Sequence, residues 1–399
     1  MARTKNYKHA ASGPKPTSKS SASGRPIGMA DIEWFGQEAC DEFFKLHDNE
    51  VFRGIGSGAV LLPPHSVPAS RSPNSGGAVI EAFPHGLAYG NMMTVLVGYF
   101  AFGALAIGLP LLLIGFPQVI NKDFFAGERL SFGYAFGVGG MSLAALLFAL
   151  MLRFDLIGYR YAPTLFDRNA GKVHVFKDNT RLFSGWPLWG GGGQHEILSY
   201  DWACVRAQVV RFKTFTGTVA QDNAALQMIV LAASGDTRVV GQFGLGLTSS
   251  AIAVQPLLNT WEHIRRFMEH EGPLFVEGDG PNQALFEMRL ARCIFLGQPF
   301  IGPGSAEHWK HPDLGAILWQ VIALPLFPLT VLYGLIRWAS FHIKSKPIWP
   351  PEVLASVGGA PLHGSALEAW RHVVPDRAAG AAAPLPSSAS ASGATAHRE

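Results

Sequence analysis

Charge is scarce in this 399-residue chain: Asp, Glu, Lys and Arg make up 15% of it, where soluble chains carry about 25%. Hydrophobic residues reach 48% and the mean hydropathy is positive, so a wholly soluble protein is not expected. Cysteine is scarcer still. Cys40, Cys204 and Cys293 are odd in number and far apart, which excludes a disulfide framework and a zinc-knuckle spacing. The net charge of +3 is too small to mark a nucleic-acid binder. The first 30 residues hold no acid, and they stay polar as far as Ile27, so no cleaved secretory signal is expected.

The uncharged residues are concentrated. From Ala82 to Asn121 there is no Asp, Glu, Lys or Arg. Met92–Phe116 and Leu130–Leu152 are two long apolar runs, and about 20 residues suffice to cross a bilayer. The short connection between them predicts an antiparallel pair of transmembrane helices. Gly133 and Gly137, followed by Gly139 and Gly140, lie at a spacing that allows close helix approach and self-association, though glycine is also simply common in membrane helices. Arg153, Arg160, Arg168 and Lys172 follow the second run, and the N-terminal tail over 1–30 adds six more basic residues. This bias puts both ends of the pair in the cytoplasm. A third run, Leu314–Ile336, is interrupted by Pro325 and Pro328. It either spans or enters and leaves on one face.

The predicted organisation is a basic tail over 1–30, an acidic segment and Gly/Pro/Ser linker over 31–84, and two membrane helices over 85–153. A cytoplasmic α+β domain over 154–313 comes next, then the third membrane segment over 314–336. A basic juxtamembrane stretch over 337–355 leads to an Ala/Ser/Pro-rich tail over 356–399. In the domain, Thr164–Asp178 carries a hairpin signal at Asn169-Ala170-Gly171, and Ser234-Gly235-Asp236 carries another. The partial alternation of Val205–Phe215 suggests a bulge. Apolar residues from Ile252 to Phe267 recur at helical spacing, with Gly272-Pro273 as the stop. Strands followed by one amphipathic helix describe an α+β domain closed by that helix. The same order occurs in pleckstrin-homology-like barrels, a likeness of fold alone.

FDRNAGKVHVF, the SYDW element and the WPPEV ending resemble an uncharacterised bacterial family, the domain of unknown function 6708, over roughly residues 80–355. The resemblance implies membrane association, a setting near type VI secretion clusters, and an accessory or immunity-type role. It implies no catalytic residue.

Few residues suggest chemistry. Glu307, His308, His311 and Asp313 form the densest ligand-like cluster, but Pro312, Trp309 and Lys310 read better as a membrane-interface belt. His195-Glu196 lacks the second His of a zinc-protease helix. His263 and His270, seven apart, read as a solvated helix face. Gly190–Gly193 lacks the Lys-Ser or Lys-Thr of a phosphate loop and reads as a loop edged by Trp186 and Trp189. Those two tryptophans are the expected partner contacts, because aromatic anchors dominate many interfaces. No catalytic residue, cofactor or metal is assigned. None of the three runs carries an acidic or basic residue, which weakens the reading as a channel or transporter. The expectation is a non-enzymatic bacterial inner-membrane interaction protein. It would bind membrane lipid and a protein partner such as a secretion-system effector or component. A lipid-acting enzyme at the membrane interface is the alternative.

Overall fold

The computed structural model describes residues 59–90, 97–118, 132–178, 195–215, 220–282, 288–295 and 298–374, apart from 116, 237, 304 and 311. The basic tail, the segment over 31–58 and the chain end beyond 374 lie outside the described residues.

Both turn signals form hairpins. Strands β4 (Thr164–Asp167) and β5 (Lys172–Asp178) pair antiparallel, and Gly171 supplies the positive φ of 62° between them. Asp167 Oδ1 accepts from the backbone N–H of Asn169 and of Ala170, both at 3.0 Å, and so fixes that turn. Strands β8 (Ala220–Leu231) and β9 (Val239–Ser250) flank Gly235, whose φ is 81°. Their ladder shifts register at Ala225/Gln227 and Val230/Leu231, which is not where a bulge was expected, in Val205–Phe215. Strand β7 (Val205–Phe215) runs against β8 in unbroken register. A strand flanked on one side by an unbroken ladder tolerates mixed alternation without a bulge.

Two antiparallel sheets result. One has the order β1-β7-β8-β9 and the other β2-β3-β4-β5-β6, with β1 Ala59–Leu61, β2 Val79–Phe83, β3 Gly86–Tyr89 and β6 His195–Asp201. The protein is therefore a mixed α+β fold. Two boundaries need correction. The stretch read as a linker up to residue 84 supplies β1 and β2, because Val79, Ile80, Ala82 and Phe83 are buried. Its Gly and Pro residues had masked that short apolar run. The tail read from 356 onward begins with structure as well. Val357 and Leu367 are buried, and Trp370 packs on the main core.

Helix α3 is Gln255–Met268, counted after α1 (Tyr99–Gly103) and α2 (Phe132–Leu156). It starts three residues after Ile252, where the apolar pattern begins; Thr248–Ser250 still belong to β9. Its apolar face, Leu257, Leu258, Trp261, Ile264 and Phe267, enters one core with residues of both sheets. Its polar face is buried too. Glu262 accepts from Ala69 N at 2.8 Å, Arg265 Nε at 3.1 Å, Arg265 Nη2 at 2.9 Å and Arg266 Nε at 2.7 Å. Burial raises the Glu262 carboxyl, but these bonds outweigh it and hold the group below its ordinary value. Arg265 Nη1 donates to His65 O at 2.9 Å, tying the helix to the loop after β1.

His65 stacks on Trp202 at 4.1 Å and 7°, and burial pushes its pKa from 6.5 down to about 4. The folded state thus favours neutral His65. Between about pH 6.5 and 4 the unfolded chain binds the extra proton, so stability falls as pH falls through that window. His65→Gln should flatten the acid side of a pH–stability curve by up to about 3 kcal/mol, measured by denaturant unfolding. An unchanged slope between wild type and variant would contradict this.

Three apolar helical segments stand against this body. Helix α1 continues through wide π-type turns over Ala104–Gly108 and Leu111–Gly115. It runs antiparallel to α2: Asp155 Oδ2 accepts from Ala101 N at 2.7 Å, Gly108 faces Phe148 and Gly115 faces Met141. A Cβ at Gly108 would fall 2.5 Å from the Phe148 ring, so only glycine fits there. The glycines singled out in α2 behave differently. Gly139 and Gly140 have open space where a Cβ would be. Over Gly137–Leu156, the most apolar stretch is only 6% buried. Further along, α4 (Leu290–Ile294) and α5 (Ser305–Lys310) precede α6 (Leu314–Ala323) and α7 (Phe327–Ile343), which are bent by 87° at their break. Gly334 of α7 lies against the Cys293 backbone, and Met288 packs with Phe341. The chain thus reaches α7 from beside its C-terminal end and returns to that same end.

Candidate functional site

The polar ends of the apolar helices converge on the sheets, and a cleft of about 680 Å³ lies where they meet. Val97 precedes α1, Arg153, Phe154 and Asp155 lie in the last turn of α2, Ile157 follows it, and Lys344 ends α7; all line it. The opposite wall comes from β5, from β6 and from Val240–Gly244 of β9. Strands β6 and β9 are the outer strands of their sheets, so the cleft is a slot between the rims of the two sheets. Tyr200 and Phe243 face each other across it, parallel to within 3° at 6.3 Å.

Four cations line the cleft, Arg153, Arg160, Lys177 and Lys344, against two carboxylates, Asp155 and Asp178. Their positions follow from local structure. Arg160 is fixed by the chain crossing beside it: Arg160 N donates to Ser345 O at 3.0 Å, and its Nε donates to Lys344 O at 3.0 Å. Its guanidinium lies 4.8 Å from the Phe341 ring centre. Lys344 is 8% exposed, with Nζ 5.5 Å from the Phe154 ring centre. Burial lowers its pKa, with Asp155 and Asp178 opposing the shift. Lys344 forms no ion pair among the described residues. Asp155 is fully buried, and its Oδ1 has no hydrogen-bond partner among the described residues. Burial raises the Tyr159 and Tyr200 phenols, so both stay protonated donors at neutral pH.

Other polar clusters are parts of the core. Tyr89 and His263 are both buried; His263 Nε2 donates to Leu274 O at 2.9 Å, so its Nδ1 accepts the Tyr89 O–H at 2.6 Å. His263 is therefore not on a solvated face: the amphipathic helix lies between two sheets and has little solvated face to offer. Ser75 donates to Asp279 Oδ1 from its hydroxyl at 2.7 Å. A Ser199–His174–Asp167 row crosses three adjacent strands, with contacts of 2.8 Å and 3.8 Å. It has the composition of an acyl-transfer triad, but Ser199 lies mid-strand rather than on the strand-to-helix turn that presents a nucleophile.

Trp186, Trp189 and Gly190–Gly193 lie outside the described residues. The two ends of that segment, Asp178 and His195, pair across β5 and β6, and Asp178 stands at the cleft. His311 and the Glu307 side chain also lie outside what is described. His308 sits on α5 near Phe300. Trp309 Nε1 donates to Phe300 O at 3.0 Å. Asp313 caps α6 by accepting from Ala316 N at 3.3 Å. No group of three metal-ligating side chains stands together among the described residues. The cleft itself was missed. Arg153 and Arg160 were visible as the cationic end of an apolar run, but nothing local in the sequence joins them to Lys344.

Residues 141–358 match the model of a family of unknown function, DUF6708. The match takes in every lining residue of the cleft except Val97 and leaves out β1, β2 and β3. No curated protein and no solved structure matches the chain.

Proposed function

Taking as premise that the chain belongs to the DUF6708 family, we propose that it is a membrane-anchored interaction protein without catalytic activity. The observation that carries this is the bare α2 surface: an apolar stretch long enough to cross a bilayer, with 6% of it buried. In water such a surface is a liability; in lipid it costs nothing. Exposed Leu109, Leu113 and Ile114 on the α1 side, and Leu318, Val321 and Leu332 on α6 and α7, extend the apolar belt. In this reading α1 and α2 form a transmembrane hairpin. The bent α6–α7 pair enters and returns on the face where the sheets lie, which satisfies the charge bias that a full third crossing would break. The sheets then sit in the cytoplasm of a bacterium, against the inner membrane.

The role beyond anchoring rests on the resemblance alone: an accessory or immunity-type factor of a type VI secretion or toxin system. Its protein partner would meet Trp186 and Trp189. The alternative of a lipid-acting enzyme at 307–313 gains no support from Asp313, which is engaged as a helix cap.

Topology tests the proposal. Cysteines placed in 117–129 should react with a membrane-impermeant thiol reagent added to intact cells. Native Cys204, half-buried in the sheet body, should react only after the membrane is opened. Early labelling of Cys204 would refute the orientation.

A further inference from the structure

The cleft places cations at the level where three apolar helices end, and that placement has a chemical consequence. Lys344 is a buried ammonium with no ion-pair partner among the described residues, an arrangement that is costly unless an anion completes it. The two carboxylates of the cleft, Asp155 and Asp178, offset part of that cost, but Asp155 directs Oδ2 to the first turn of α1. Arg160 holds its Nε on a backbone carbonyl and sets its guanidinium 4.8 Å from the Phe341 ring centre, which fixes the group without neutralising it. Tyr159 and Tyr200 line the same space, with the Tyr159 hydroxyl hydrogen-bonded to His195 Nδ1 at 2.7 Å. A volume of about 680 Å³ suits a small organic ligand, for which pockets of ~300–1,000 Å³ are usual.

We propose that this cleft is a phosphate-binding site, with Lys344 and Arg160 as its fixed cations, and that its ligand is the phosphodiester of a phospholipid headgroup. Phosphate is favoured over a carboxylate because the cations are distributed around a cavity instead of forming one planar fork. The lipid source follows from the setting. The cleft opens where α1 starts and where α2 and α7 end, so a headgroup seated there leaves its acyl chains along exposed leucines. That source rests on the membrane reading given above; the phosphate chemistry does not. A free phosphate ester shares the chemistry and is the competing source.

The test uses the full chain purified in a neutral detergent. Three probes are titrated: dihexanoyl phosphatidylglycerol, glycerol 3-phosphate, and dihexanoylglycerol, which lacks phosphate. Binding is followed by calorimetry. The short-chain phospholipid should bind, and Lys344→Met combined with Arg160→Gln should weaken it at least tenfold. Lys344→Met keeps the stem against Phe154 while removing the charge, and Lys344→Arg should restore most of the affinity. Arg211→Gln, on an exposed pair with Asp222, should change nothing. Unliganded melting temperatures check that each variant folds. Equal binding of the phosphate-free diglyceride, or equal binding by the double variant, would overturn the site. Equal binding of glycerol 3-phosphate would keep the phosphate site and overturn the lipid source. Resistance of the wild-type protein to alkaline carbonate extraction is scored separately. A chain released by carbonate that still binds glycerol 3-phosphate fails the membrane reading and not the site.

Discussion

Glu262→Ala should destabilise the sheet body by about 3–5 kcal/mol, the usual result of removing one partner from a buried charge network. Glu262 is fully buried and Arg265 is 3% exposed. Deleting the carboxylate leaves Arg265 with the carbonyl of His65 and the carboxylate of Glu271, and Glu271 is half exposed. It also orphans Ala69 N, loosening the loop that ties β1 to the helix. The measurement is denaturant unfolding of the detergent-solubilised chain. Replacing Glu262 and Arg265 together by Met should recover part of the loss, because the buried charge goes with its partner. A single-variant loss under 1 kcal/mol would mean that water reaches the network.

Leu143→Arg combined with Leu147→Arg should have the second large effect, on location. Leu143 is 58% exposed and Leu147 52% exposed, four residues apart on one face of α2. A charge near the bilayer centre costs about 2.5–3.5 kcal/mol on insertion scales. Two should shift most of the protein out of the membrane fraction. If that face met water or a soluble partner instead, the same changes would raise solubility and leave fractionation alone. The sign of the response separates the two environments.

These two sites differ in how far the sequence announces them. The α2 face is legible because hydropathy over a long run needs no tertiary context: every residue in it must be tolerable in the same solvent. Hairpins at Gly171 and Gly235 are legible because φ values of 62° and 81° favour glycine. The Glu262 network is not. Glu262, Arg265 and Arg266 at i, i+3 and i+4 look like an ordinary solvated stripe, and only the loop over 62–78 makes them interior. Likewise β2 was lost among Gly and Pro because its burial depends on β3, β4 and Val357. The cleft joins residues 153–160 with 344 through backbone bonds between Gly158 and Ser345 and between Ser345 and Arg160. Such a pairing has no local signature. It also corrects a simple way of testing the anchor: exchanging residues 82–152 would remove β3 along with the helices, so an exchange must spare everything up to Gly90. Gly98 needs care as well, since a Cβ there would fall 2.5 Å from the Arg337 Cα.

The position of β1, β2 and β3 ahead of the apolar helices sets an order of events during synthesis. These strands leave the ribosome first, and β2 and β3 can pair only with each other, a hairpin too small to be stable alone. Their next neighbour, β4, is made after α1 and α2. The partner of β1 is β7, later still. Val357, packed against Gly86, comes near the end of the chain. The early strands therefore wait, open-edged, while the helices find their environment. Placement of α1 and α2 brings Gly90 and Arg153 to the same side and makes the β3–β4 ladder possible. Translation arrested before Val357 should yield a nascent chain that is protease-sensitive at 79–89, and resistance should appear only once Val357 and the residues packed beside it emerge.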